Sequence, residues 1–313
     1  MKTQLDRSKL RCRMYDNDTL KWQHEGTHYL LHVRQDETAD DPRSWDNVGV
    51  MACFHRRYCL GDKVEENTPE RWWQANVRQT IPAEEIAEEA IRGNLPGIRI
   101  AGCEDPDLVD IYEVCYLADF QTKREAKEYL EYSGVDRRYL AEYLLDDLTI
   151  GHCQYLLRNE AYWLALWLYD HSGITMSATQ GGNPYSCQWD SGQVGWIYVT
   201  RERAMHTLGN ITEDNWRERA EEVLRGEVET YDQFLTGEVY GYELYEYEPP
   251  EDDEDEIGES SMNEIDSCWG FYGSDIVESG LADNVDCGLL EAISAGIYEE
   301  GAATLHHISY YSY

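Results

Sequence analysis

Trp189-Asp190-Ser191-Gly192-Gln193-Val194-Gly195-Trp196-Ile197-Tyr198-Val199 is a polar Trp-Asp turn that runs straight into an apolar, β-branched stretch. A similar string occurs earlier, as Trp45-Asp46-Asn47-Val48-Gly49-Val50-Met51-Ala52-Cys53-Phe54. Each copy follows an apolar run that ends in aspartate, Tyr29-Leu30-Leu31-His32-Val33-Arg34-Gln35-Asp36 and Trp163-Leu164-Ala165-Leu166-Trp167-Leu168-Tyr169-Asp170. Both halves therefore read strand, Asp, polar loop, Trp-Asp, strand. They predict an α+β protein with one central mixed sheet, its halves in residues 1–64 and 161–313, and an acidic helical insertion, 65–160, between them.

The 313 residues are 42% hydrophobic, enough to bury a sizeable core without disulfide staples. No window approaches the roughly 18 continuous apolar residues of a membrane span, and Met1-Lys2-Thr3-Gln4-Leu5-Asp6 holds no apolar signal core. The expectation is a soluble chain in the cytoplasm. Nine cysteines, odd in number and without a Cys-x-x-Cys pair, point to free thiols rather than a disulfide framework or a zinc ribbon. The charge is more unusual, since 62 Asp plus Glu against 26 Lys plus Arg leaves a formal −36. Such a field repels nucleic acid and membranes and attracts basic surfaces. An acidic face competes for the Lys/Arg grooves that otherwise take DNA, because those grooves draw much of their affinity from neutralising phosphates. Plain solubility in a salty cytoplasm would use the same composition, although nine cysteines fit a halophile less well.

Glycine in Glu25-Gly26-Thr27 predicts a tight turn between strands at 20–22 and 29–34. Residues 48–55 are apolar on both alternating faces, which predicts a central strand. Helical periodicity follows over 68–92, with Thr80 as a cap, Pro82 in a first turn and Gly93 as a stop, and again over 122–132 and 136–148. Residues 212–225 predict a helix capped by Thr212 and ended by Gly226, with another over 227–235. A tyrosine-rich strand, 239–247, and a second at 265–273 predict a C-terminal hairpin around the like-charge run Glu251-Asp252-Asp253-Glu254-Asp255-Glu256. A helix over 283–297 and a last strand or tail, 305–313, complete the chain.

Two chemistries can be drawn from these residues. If the halves pair about a pseudo-twofold, Asp36, Asp46, Asp170 and Asp190 converge at strand ends with His55 and His171 beside them, the material of a divalent-metal hydrolase or a general acid/base pair. The competing role for each aspartate is to cap its own turn. Asp170-His171-Ser172 holds the residue types of an acyl-transfer triad, but neighbours on an extended chain point to opposite sides and cannot line up as one. Arg56 and Arg57 form the one markedly basic spot and could hold a phosphate or carboxylate, or pair with nearby aspartates. Cys53, His55 and Cys59 fall short of a four-ligand zinc set.

Several long strings resemble a family of uncharacterised proteins from phages and integrated mobile elements. They are Ser44-Trp45-Asp46-Asn47-Val48-Gly49 through Cys53-Phe54-His55-Arg56-Arg57-Tyr58, Leu168-Tyr169-Asp170-His171-Ser172-Gly173-Ile174-Thr175, the Trp189 stretch, Gly226 to Gln233, and Asp266-Ser267-Cys268-Trp269-Gly270-Phe271-Tyr272-Gly273. The resemblance implies a source and an action on or inside a microbial host, and supplies no catalytic residues. Together with the charge it leads to the first expectation, a non-enzymatic inhibitor with a DNA-like surface that blocks a basic, nucleic-acid-binding host defence complex. It would use no cofactor and would bind neither nucleic acid nor membrane directly. Its carriers are Glu84, Glu85, Glu88, Glu89, Asp146, Asp147 and the run 251–256. The alternative is a metal-dependent hydrolase or nucleotide-processing enzyme using Asp46, His55, Asp170, His171 and Asp190 with a divalent metal. A structural or packaging component, or a homo-oligomer built on the tyrosine-rich strands, is a third.

Overall fold

Both residues of the turn between the first two strands sit at positive φ, Glu25 at 50° and Gly26 at 90°. That two-residue geometry matches the twist of an antiparallel pair, so β1 (Asp18–His24) and β2 (Thr27–Gln35) form the predicted hairpin. The computed structural model describes residues 10–98, 137–249 and 262–302. Over them the chain is an α+β protein with two sheets. The run 251–256, the helix predicted at 122–132 and the end at 305–313 lie outside the described residues.

The first sheet has the order β8-β7-β2-β1-β9. It adds β7 (Val239–Tyr247), β8 (Met262–Tyr272) and β9 (Glu299–Ala302) to the hairpin, and β1–β9, β2–β7 and β7–β8 are all antiparallel. The second has the order β3-β6-β4-β5, from β3 (Val50–Cys53), β4 (Ala161–Asp170), β5 (Ile174–Thr179) and β6 (Ser191–Thr200). The single mixed sheet drawn from the repeat is thus two sheets. In the second copy the two strands of the repeat, β4 and β6, are neighbours, and β5, which lies between them in the chain, pairs on the far side of β4. In the first copy they part, β2 to one sheet and β3 to the other. Local alternation specifies a strand but not its partner, which is why the repeat misled.

Contacts group the chain into two compact units, one from Met1–Asp46, Tyr169–Ser177 and Glu227–Tyr313, the other from Asn47–Leu168 and Ala178–Gly226. In the first unit Leu20, Trp22, Leu31 and Val33 of the hairpin pack with Tyr240, Tyr242 and Leu244 of β7. The predicted C-terminal helix closes that core as two short pieces, α7 (Leu281–Asn284) and α8 (Leu289–Ala295). The break falls at Gly288, at φ 74°, where a Cβ would stand 2.2 Å from the His24 ring. The Arg43 and Glu227 side chains, 3% and 11% exposed, form an ion pair at 3.1 Å within the same unit.

In the second unit the helical block packs onto the strands in one core. α1 (Pro69–Thr80) begins after Thr68, whose Oγ1 accepts from Arg71 N, with proline at the first position. Thr80, expected to cap, is its last residue, and α2 (Ala83–Ile91) starts without a side-chain cap. Gly93, at φ 71°, ends α2 as predicted. α3 (Arg137–Leu145) packs on α2, and α4 (Ile150–Leu157) on α1. α4 opens with a capping box in which Thr149 and His152 satisfy each other's backbone. Trp72, Trp73, Leu140, Leu144 and Leu156 join Ala52, Ala161 and Tyr198 of the strands in one buried cluster.

α5 (Arg201–Thr207) leads to α6 (Trp216–Thr236), a single helix where two were expected. Trp216, Ala220, Leu224, Val228 and Tyr231 form an unbroken buried stripe. That stripe outweighs the roughly 1 kcal/mol an interior glycine costs, so Gly226 does not end the helix. Gly237 ends it instead, at φ 75°, with Glu238 N–H donating to Gln233 O at 2.7 Å.

β3, predicted central, is an edge strand by order. Met51 and Ala52 are nevertheless fully buried, because the chain returns along the open edge: Ala52 bridges Gly61, and Asp62 N–H donates to Met51 O at 2.7 Å. On the other side β3 runs against Gly195 of the opening stretch, so closely that a Cβ there would lie 1.9 Å from Ala52 O. Gly192, three residues earlier, has nothing within 4 Å. Gly195→Ala is therefore expected to destabilise by about 1–3 kcal/mol or more in urea unfolding, and Gly192→Ala to change the midpoint little. Equal midpoints would refute the close approach.

Candidate interaction surface

Four of the expected acidic carriers, Glu84, Glu85, Glu88 and Glu89, lie on α2, and there arginines and internal donors take up part of the charge. Arg138 Nε lies 2.8 Å from Glu84, and Arg137 Nε lies 2.8 Å from Glu88. Both arginines come from α3, which turns the facing acids of α2 into interhelical pairs. Glu89 leaves the surface altogether. It is 6% exposed and accepts from Asn94 Nδ2 at 2.8 Å, Arg92 Nη1 at 2.9 Å and the Tyr155 hydroxyl at 2.9 Å. Its position falls on the buried side of the helix with Ile86 and Ala90, so its carboxylate needs internal donors and cannot face a partner. Of the α2 acids, Glu84 and Glu85 are exposed and Glu88 is half-buried; Asp146 and Asp147 are exposed just past α3.

α6 carries a second acidic face that the division into two helices hid. Glu218, Glu222 and Glu229 are exposed on it, Glu222 paired with Arg219, while the half-buried Glu221 is held by Arg225 at 2.7 Å. Glu264 on β8 and Glu299 on β9 are also exposed. Among the described residues Glu89 is the one acid classed as buried. The 26 cations of the chain, even if each held one carboxylate, would leave 36 of 62 acids without a cation of their own.

The aspartates and histidines of the hydrolase alternative are placed as follows. Asp46, Asp170 and His171 belong to the first unit, His55 and Asp190 to the second. Among the described residues no three His, Cys, Asp or Glu side chains stand together as a metal site. His55 Nδ1 accepts from the backbone N–H groups of Arg57 and Tyr58 at 3.3 and 3.2 Å, and its ring stacks on Tyr58 at 5.0 Å. It shapes the turn after β3. His171 is exposed between β4 and β5, its N–H donating to Gly173 O at 3.0 Å. Asp190 Oδ2 accepts from Cys187 Sγ at 3.3 Å, and Asp36 caps its own turn by accepting from Thr38 N at 3.0 Å. Arg56 and Arg57 are exposed, Arg57 lying 5.3 Å from the Tyr58 ring. The tryptophans of the two Trp-Asp turns face outward: Trp189 is 96% exposed, and Trp45, 47% exposed, meets Tyr272 edge-on at 5.1 Å.

Comparison with protein-family models, with curated proteins and with solved structures finds no match.

The internal carboxylate makes the second unit sensitive to acid. The Asn94 hydrogen bond, with those of Tyr155 and Arg92, holds the Glu89 carboxyl below its ordinary 4.5 against the opposing effect of burial. A lowered folded-state value stabilises above pH about 4.5, and that contribution is lost as pH falls through the folded value. Glu89→Gln is expected to be less stable than the parent at pH 7, on the order of 1 kcal/mol, and to lose less on acidification from about pH 5 to 3. Urea midpoints against pH check this; parallel curves would remove Glu89 as the cause.

Proposed function

We propose that this chain is an acidic binding protein of a phage or mobile element, and that it inhibits a basic, nucleic-acid-binding defence complex of its host by occupying the groove that takes DNA. The observation that carries this reading is the disposition of charge. Among the described residues Glu89 is buried and Glu227 and Glu243 are mostly enclosed, while most other acids are half-buried or exposed in a chain of net charge −36. Glu84, Glu85, Asp146 and Asp147 in the α2–α3 region and Glu218, Glu222 and Glu229 on α6 are the exposed carriers. A solubility role alone would need no partner. The resemblance to phage and mobile-element proteins favours an antagonist of host machinery, whose DNA-binding grooves are the basic surfaces such a protein meets.

The test is competition. A purified restriction or RNA-guided nuclease complex is titrated with the protein while its DNA binding is followed at about 50 mM and about 500 mM NaCl. Displacement of DNA at low salt, weakened at least about tenfold by Glu85→Lys with Asp146→Lys or by Glu218→Lys with Glu229→Lys, is expected. Displacement indifferent to both salt and charge reversal would refute the reading. Because self-repulsion weakens the folded state, the melting temperature is also expected to rise as NaCl is raised over the same range.

A further inference from the structure

In the second unit, Ala161 and Trp163 of β4, Gln193 and Trp196 of β6 and Arg158 at the end of α4 line a cavity of about 610 Å³. Gln154 of α4, Arg217 of α6 and Gln180 past β5 close its sides. This volume lies within the range of about 300–1,000 Å³ that small-molecule sites occupy.

The two arginines give this cavity a cationic edge. Arg137, Arg138, Arg201, Arg219 and Arg225 of the same unit each hold a glutamate. Arg158 and Arg217 instead lie on aromatic rings, 3.9 Å from the centre of Tyr155 and 4.3 Å from that of Trp216. Their hydrogen bonds go to backbone carbonyls: Arg158 Nη1 to Tyr155 O, and Arg217 Nη2 to Arg158 O at 2.8 Å. Each fork of five donors is only partly used, the second contact sets the Arg217 side chain against the backbone of Arg158, and both residues line the same cavity. An anion with several oxygens suits such a pair.

The rest of the lining points to a ring. Trp163 and Trp196 pack edge-on against the buried Trp73, at 5.2 and 5.6 Å, and both remain half-buried, with part of their surface left to the cavity. Glutamine side chains carry both a donor and an acceptor, as the edge of a nucleobase does. We propose that this cavity binds a nucleoside phosphate, the phosphate on Arg158 and Arg217 and the base against Trp163 and Trp196, with Gln154 and Gln193 at its edge. The net charge of −36 does not forbid an anion here, because at physiological salt charges beyond about 8 Å are screened. The nearby carboxylate of Glu221 is already held by Arg225 at 2.7 Å and by the Tyr162 hydroxyl. The proposal rests on the lining of the cavity and not on the exposed carboxylates, so its failure would leave the inhibitor reading standing.

Isothermal titration calorimetry with the four common ribonucleoside 5′-monophosphates, their nucleosides and inorganic phosphate tests this. At least one monophosphate is expected to bind at about 1 mM or tighter, and at least tenfold tighter than its nucleoside or phosphate alone. Arg158→Gln with Arg217→Gln is expected to weaken it at least about tenfold. Gln154→Trp, which fills the cavity from α4 and leaves both arginines in place, is expected to abolish it while circular dichroism and melting stay those of the parent. Absence of binding for every monophosphate, phosphate binding as tightly as the nucleotide, or binding indifferent to Gln154→Trp would each overturn the proposal.

Discussion

Trp73 has no exposed surface and meets Trp72, Trp163, Trp196 and Tyr198 edge-on, with centroids 5.1 to 5.9 Å apart. Each such contact adds about 0.5–1.5 kcal/mol beyond area burial, and together they tie α1 to β4 and β6. That tie makes the helical segment part of the four-stranded sheet's core. It also turns Trp163 and Trp196 so that one part of each ring faces the cluster and another part lines the cavity beside Arg158 and Arg217. Core packing and the proposed ligand site are two sides of the same pair of rings.

The excess of carboxylates is handled locally. Where two helices face, as α2 and α3 do, arginines of one neutralise glutamates of the other; along α6 the pairs Arg219–Glu222 and Arg225–Glu221 are three and four residues apart. Exposed pairs of this kind contribute a few tenths of a kcal/mol, so they limit repulsion rather than hold the fold. The strongly used charges are internal: Glu89 with its three donors, Arg43 with Glu227, and Glu243, which His32 and Tyr245 hold at 3.3 and 3.1 Å. Most other acids of the described residues are exposed or half-buried.

Much of the local structure was legible. Glu25-Gly26 announced its hairpin, the tyrosine-rich 239–247 its strand, and the apolar spacing of 68–92 its helices, because turn geometry and periodicity act over a few residues. Glycine was the less reliable sign: Gly93 stops a helix, whereas Gly226 sits inside one, and the difference lies in the apolar stripe that continues past Gly226. The acidic faces were legible as composition, but not which carboxylates turn inward; Glu89 differs from Glu88 only by its angle on the helix. The cavity was missed because Arg158 and Arg217 are 59 positions apart and nothing local marks either one.

The sequence by itself determined the class, the hairpins, most helix positions and the sign of the surface, since these follow from alternation, turn residues and net charge. Only the tertiary structure decided that the two Trp-Asp repeats serve different strand partners, that β3 lies at an edge closed by Gly61 and Asp62, and that two arginines stacked on aromatic rings share a cavity with two tryptophans. Strand pairing and side-chain convergence depend on contacts between residues far apart in the chain, whose energies no local pattern encodes.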